Sequence, residues 1–109
     1  MQSNKNFENY KIYIFSDGAK NNQDVQKIKK VRSFLKNLRR FKQIKIIKRR
    51  KNFGLASNII NGVTEILNKE DAAIFLEDDI LVSKDFLDYM NLNLNKYKNV
   101  KKIWHISGF

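Results

Sequence analysis

Glu77, Asp78 and Asp79 stand side by side in the stretch AAIFLEDDILVS, between two apolar runs, in a chain whose net charge is +11. Adjacent carboxylates repel one another. The flanking runs predict a segment that passes at least partly through the interior, where uncompensated charge is costly, so a cationic group is expected to share the site. Carboxylate oxygens are hard ligands suited to Mg2+ or Mn2+, ions that proteins often hold through one or two carboxylates while phosphate oxygens and water complete the shell. Such an ion bridges to a diphosphate, neutralises charge developing on a leaving group and orients it. The competing explanation is purely electrostatic: acids are common where a helix or turn begins, and the many lysines of this chain need partners.

The elements that would carry these acids follow from periodicity. YKIYIFSDG reads as a short strand over residues 11–15, rich in β-branched and aromatic residues and ending in a Ser-Asp-Gly turn, which places Asp17 at a strand's carboxyl end. Val25, Ile28, Val31, Leu35 and Leu38 recur at three- and four-residue spacing, predicting an amphipathic helix from residue 24 to near Phe41. QIKIIKR gives a second strand over residues 44–48, followed by the loop RKNFG, which Gly54 interrupts. Beyond it Ala56, Ile59, Ile60, Val63, Ile66 and Leu67 form the cleanest helical stripe in the chain. AAIFL has the continuous apolar character of a strand buried on both faces, feeding directly into the acidic triplet. SKDFLDYMNLNLNKY is expected to be a helix with Ser83 as its N-cap, Asp85 in its first turn, and Phe86, Leu87, Met90 and Leu94 facing inward. KIWHIS reads as a last strand. Alternation there puts His105 with Ile103 and Ser107 and gives the histidine a structural role, with Trp104 in the core.

The resulting order, β-α-β-α-β-α-β, predicts an α/β fold with a parallel-type, Rossmann-like sheet and crossover helices. Ligands of such sheets bind at the carboxyl ends of the strands. The Ser-Asp-Gly turn, the loop RKNFGLASN and the Glu-Asp-Asp triplet all fall at that edge.

Composition sets the bounds. A chain of 109 residues with 42% apolar content suffices for one domain, and neither repeats nor prolines divide it, so residues 1–109 are read as a single domain with a polar lead-in over 1–10. The absence of cysteine excludes disulfides and thiolate metal sites and points to a reducing, cytoplasmic setting. No run is long and apolar enough to span a bilayer. From Val25 to Thr64 there is no acidic residue, and residues 27–51 are densely basic. A field of that sign attracts nucleic acid, an anionic membrane surface or a phosphorylated small molecule, and it is equally the signature of a solvated helix face.

Taken in order, IYIFSDGAK, NFGLASNIINGV and FLEDDILVS, followed by KIWHISGF, resemble the nucleotide-sugar-dependent glycosyltransferases of the GT-A fold. The likeness extends in particular to a bacterial sugar-transferase group related to N-acetylglucosaminyltransferase I, and covers about residues 11–109. SDG and N-x-G are weak motifs singly; LEDD ahead of a phenylalanine-containing helix is more specific. The resemblance implies a nucleotide-sugar donor, most simply a UDP-sugar, and a divalent cation, Mn2+ or Mg2+. It implies that Asp17 contacts the uracil or ribose, that Asn52 and Gly54 belong to the loop beside the nucleotide, that Asp79 is the direct metal ligand, and that Glu77 and Asp78 contact nucleotide, ribose or sugar. On the same resemblance, the EDD triplet corresponds to the metal-binding DxD motif of that family.

The sequence departs from the family pattern at both ends. A strand that ordinarily precedes IYIFSDG is replaced by the polar lead-in, and the acceptor-binding half, which in inverting enzymes supplies the carboxylate base, does not follow SGF. The expectation is therefore the donor-binding half of a glycosyltransferase, truncated at both ends, whose catalytic base lies outside this chain and whose unpaired strand edges favour association with a complementary chain. Three functions stay open: sugar transfer to an acceptor hydroxyl, an inactive remnant that binds nucleotide only, and nucleic-acid binding through residues 27–51. The last leaves the acidic triplet unexplained and lacks exposed aromatics among its basic residues, because Phe34 and Phe41 are expected on the apolar side of their helix. Peripheral contact with the inner membrane face is a further use of the basic segment.

Overall fold

The computed structural model describes residues 7–41 and 43–108, without the side chains of residues 39 and 40; the first six residues of the polar lead-in and Phe109 lie outside the described residues. The chain divides into two compact units, one of Tyr10–Ala73, the other combining the segment before Tyr10 with the residues from Ile74 onward.

The first unit is built on two parallel strands, β1 (Ile12–Ser16) and β2 (Ile44–Lys48), paired in register from Ile12 with Ile44 to Ser16 with Lys48. The ladder continues beyond both ends, Ile12 N–H donating to Gln43 O at 2.8 Å and Arg49 N–H to Ser16 O at 2.9 Å. Between the strands runs helix α1 (Asn22–Lys36), which tightens into a 3-10 turn over Asn37–Arg40, so the helical stretch ends next to the expected Phe41. It begins two residues earlier than the apolar spacing indicates, because the Asn21 side chain accepts the Asp24 N–H at 3.0 Å and caps the first turn. After β2 comes helix α2 (Leu55–Leu67). Gly62 lies on its inner face, where an added Cβ would meet the Phe15 ring at 3.4 Å. Strand, helix, strand, helix with a parallel pair at the centre is an α/β, Rossmann-like arrangement.

Each helix covers less of its apolar stripe than its sequence offers. On α2, Gly62 and Ile66 are buried, whereas Ile59, Ile60 and Leu67 are exposed. On α1 no residue is buried, and Phe34 is 66% exposed rather than lying on a covered apolar side. Phe34 is thus an exposed aromatic within the basic segment, contrary to the expected apolar placement, whereas Phe41 is half-buried.

In the second unit, helix α3 (Phe86–Tyr97) buries Leu87 to 3% exposure, with Phe86 and Met90 half-buried beside it and Leu94 exposed. Its start corrects the expected Ser83 cap. Residues 84–85 form a turn closed by Phe86 N–H to Ser83 O at 3.3 Å, so the cap position falls to Asp85, whose side chain makes no capping bond. Two expected strands are absent among the described residues: 72–77 and 103–108 carry no regular secondary structure, and the sheet has two strands. An apolar run becomes a strand only with a hydrogen-bonding neighbour. Trp104, expected in the core, is 92% exposed. Its indole N–H donates to Lys101 O at 3.0 Å, within a local turn that Ile103 N–H closes onto Val100 O.

Candidate functional site

At the carboxyl ends of β1 and β2, Asp17 leaves the first strand and meets the loop that leaves the second. Its Oδ1 accepts the N–H groups of Gly18 at 2.8 Å and Phe53 at 2.9 Å, and its Oδ2 accepts Gly54 N–H at 3.0 Å and Asn52 Nδ2 at 3.2 Å. These donors fill about the four lone-pair sites that a carboxylate offers, so any ligand of Asp17 would share them. Three residues singled out in the sequence, Asp17, Asn52 and Gly54, are thus brought together in one hydrogen-bonded group.

Two glycines let the backbones come this close. Gly18 is buried, and a Cβ there would run into the Lys51 carbonyl carbon and lie 2.8 Å from Asn52 N, a clash with main chain that cannot swing away. Asn52 Nδ2 also donates to Gly18 O at 2.9 Å, closing the same junction from the other side. Gly54, the residue before α2, has φ 75° and ψ 163°, a region essentially reserved for glycine, and nothing lies within 4 Å of where its Cβ would stand. That open space at a helix start permits close approach of a ligand to the main chain.

Arginines hold the underside of the site. Arg32 of α1, half-buried among exposed lysines, donates from Nε to Ser16 Oγ at 3.1 Å and from Nη2 to the carbonyls of Ser16 at 3.2 Å, Asp17 at 2.9 Å and Arg49 at 2.8 Å. Arg49 lies over the rings of Phe15 and Phe53, each centroid 5.1 Å from its guanidinium carbon, the stacking that a planar guanidinium favours. Its Nη2 is 3.5 Å from Glu65 Oε2, a charge contact without hydrogen-bond geometry. Sequence reasoning missed both roles. An arginine inside a run of lysines looks like solvated charge, and no periodicity marks the one whose side chain turns inward.

The acidic triplet sits elsewhere in the chain and in a different setting from the one expected. Glu77, Asp78 and Asp79 are all exposed, on a turn closed by Ile80 N–H to Glu77 O at 3.3 Å. The runs beside them are exposed as well, Phe75, Leu76 and Ile80 in part and Leu81 at 99%. The cost of burying three carboxylates therefore does not arise. Among the described residues no group of three or more His, Cys, Asp or Glu side chains is gathered closely enough to enclose a metal ion. An exposed set of one or two carboxylates is still the donor set through which Mg2+ is commonly held when substrate phosphates complete its shell. Asp85 and Tyr89 line a shallow open hollow with Ser83, Phe86 and Gly108 near the start of α3.

Comparison with known proteins gives a family but no individual relative: no curated protein and no solved structure matches this chain. The description Glycosyl transferase family 2 matches residues 2–100, a span that takes in both strands, the clasp of Asp17 on the 52–54 loop, and the acidic turn. With nearly its whole length matched and an α/β, Rossmann-like core of the GT-A type, the chain belongs to glycosyl transferase family 2.

Proposed function

We propose that this protein binds a nucleotide-diphosphate sugar, a UDP-sugar in the simplest case, with a divalent cation, for transfer of the sugar to an acceptor hydroxyl, and that residues 1–109 act together as one donor-binding domain. The observation that carries the reading is the meeting of Asp17, Asn52 and Gly54 at the carboxyl ends of a parallel strand pair, in a chain matched to a glycosyltransferase family. That edge is where open α/β sheets bind ligands. Asp17 holds the loop and shares an oxygen with the base or ribose. Asn52 commits its amide nitrogen to Asp17 and Gly18, which leaves its amide oxygen for a donor such as a uracil N–H. Gly54 gives the diphosphate access to main-chain N–H groups at the start of α2.

Asp79 is the proposed metal ligand, with Glu77 and Asp78 beside it contacting the nucleotide, ribose or sugar. Mn2+ or Mg2+ bound there would supply charge neutralisation at the diphosphate leaving group. Calorimetric titration with UDP, with and without Mn2+, on the wild type and Asp79→Ala tests both halves. Metal-dependent binding that the variant loses supports the assignment; binding indifferent to metal and to Asp79 removes it. Turnover with UDP-sugars then separates a transferase from a chain that binds nucleotide only.

A further inference from the structure

We infer that Arg32 is a positioning residue for the donor-binding loop, an inference that rests on the donor-binding reading of that loop. Arg32 lies in the interior of α1, remote in sequence from every motif, and its guanidinium reaches the place where both strands end. Its acceptors are Ser16 Oγ and the carbonyls of Ser16, Asp17 and Arg49. Ser16 is the last residue of β1 and Arg49 the first after β2. The oxygens there have run past most of the ladder, and partly buried carbonyls need donors. A planar fork with fixed N–H directions can bridge two chain segments at once, whereas an ammonium on a flexible stem is a point charge.

The loop is consequently gripped by two charges of opposite sign from two directions. Arg32 fixes the carbonyls of Asp17 and Arg49, which are the points of departure of the turn and of the loop. Asp17 then extends its carboxylate to the N–H groups of Phe53 and Gly54. Without Arg32, the peptide that aims Asp17 and the peptide that starts the loop are each released on one side, and the geometry at Asn52 and Gly54 loosens although neither touches the arginine.

The test uses the full chain with Arg32→Gln and Arg32→Lys, with Lys29→Gln, an exposed neighbour on the same helix, as control. UDP affinity is expected to fall about tenfold or more in Arg32→Gln, the scale for losing charge-assisted hydrogen bonds. Arg32→Lys recovers little of it, and Lys29→Gln leaves it unchanged. Native-state hydrogen exchange supplies the readout that general destabilisation would not give. The Phe53 and Gly54 amides, bonded to Asp17 and not to Arg32, exchange faster in Arg32→Gln, while amides in the middle of α2 keep their rates. Uniform acceleration across the unit, or wild-type UDP affinity in Arg32→Gln, overturns the inference. If the wild type binds no UDP, the donor-binding reading fails, and the exchange pattern still decides whether Arg32 positions the loop.

Discussion

At the scale of single residues, the clasp around Asp17 makes sharp demands. Asp17→Asn keeps the shape but turns an NH2 toward main-chain N–H donors, and is expected to cost about 1–3 kcal/mol, the usual penalty for leaving partly buried donors unsatisfied. Urea denaturation measures it, and a variant within a few tenths of a kcal/mol of wild type would show that the carboxylate is not holding the loop. Gly18 and Gly54 are demanding for different reasons that separate experimentally. Gly54→Ala meets open space and pays only for its backbone angles, about 1–3 kcal/mol, whereas Gly18→Ala drives a methyl into the Lys51 carbonyl and must shift main chain. Urea denaturation is therefore expected to show a larger loss of stability in Gly18→Ala than in Gly54→Ala, whose methyl instead stands in the open space through which a ligand would reach the main chain; equal losses would contradict the close packing at Gly18. Much of this was legible from residue types: an acid and a glycine after one strand and an asparagine and a glycine after the next announce a polar junction. Arg32 and Arg49 were not legible, because the direction in which a long cationic side chain turns is decided by which carbonyls and rings lie within its reach.

At the scale of elements, both strands of the parallel pair and the body of every helix follow from apolar spacing, and the errors collect where an element needs a partner. AAIFL and KIWHIS have strand composition, yet residues 72–77 and 103–108 pair with nothing in the described sheet and stay irregular. The start of α3 failed for a local reason, since a turn over residues 84–85 displaces Ser83 from the cap position. The ends of the first unit are joined by one exposed ion pair, Lys11 Nζ to Glu70 Oε1 at 2.9 Å, which links the residue before β1 to the segment after α2, with Tyr13 Oη 3.5 Å from the same oxygen. The hydrogen bond to Lys11, more than its charge, holds the Glu70 carboxyl below the usual carboxylate range, and the same bond holds Lys11 above the usual lysine range. The sign follows for each partner. The Glu70 contribution is present above the ordinary carboxylate pKa and is lost as pH falls through its lowered value; the Lys11 contribution is present below the ordinary lysine pKa and is lost as pH rises through its raised value. Lys11→Met is therefore expected to differ slightly from wild type in urea midpoint near neutrality and to converge with it in acid, the small size reflecting solvent screening of an exposed pair. A difference that widens toward low pH would contradict this linkage.

For the whole molecule, apolar exposure and net charge pull against each other. Buried apolar side chains among the described residues are Phe7, Ile66 and Leu87, while Phe34, Leu55, Ile60, Leu81, Leu92 and Trp104 are among the many large apolar groups left in solvent. Exposure on this scale favours association, and a net charge of +11 opposes it. Since salt screens repulsion without weakening apolar contact, light scattering is expected to show mass above 12.9 kDa that rises with added salt. A monodisperse monomer at every salt concentration would refute this. The parallel strand pair has one more consequence, for the order in which the chain acquires structure. Strands that run side by side in the same direction cannot meet through a hairpin, so the whole of α1 must be spanned before the Ile12–Ile44 contact forms, and closing that loop sacrifices chain entropy before any ladder bond repays it. The helices can nucleate early from local contacts. The junction of Asp17 with the 52–54 loop must await the pairing of β1 and β2, which makes this carboxyl edge of the strand pair a late structure in folding and an early loss in unfolding.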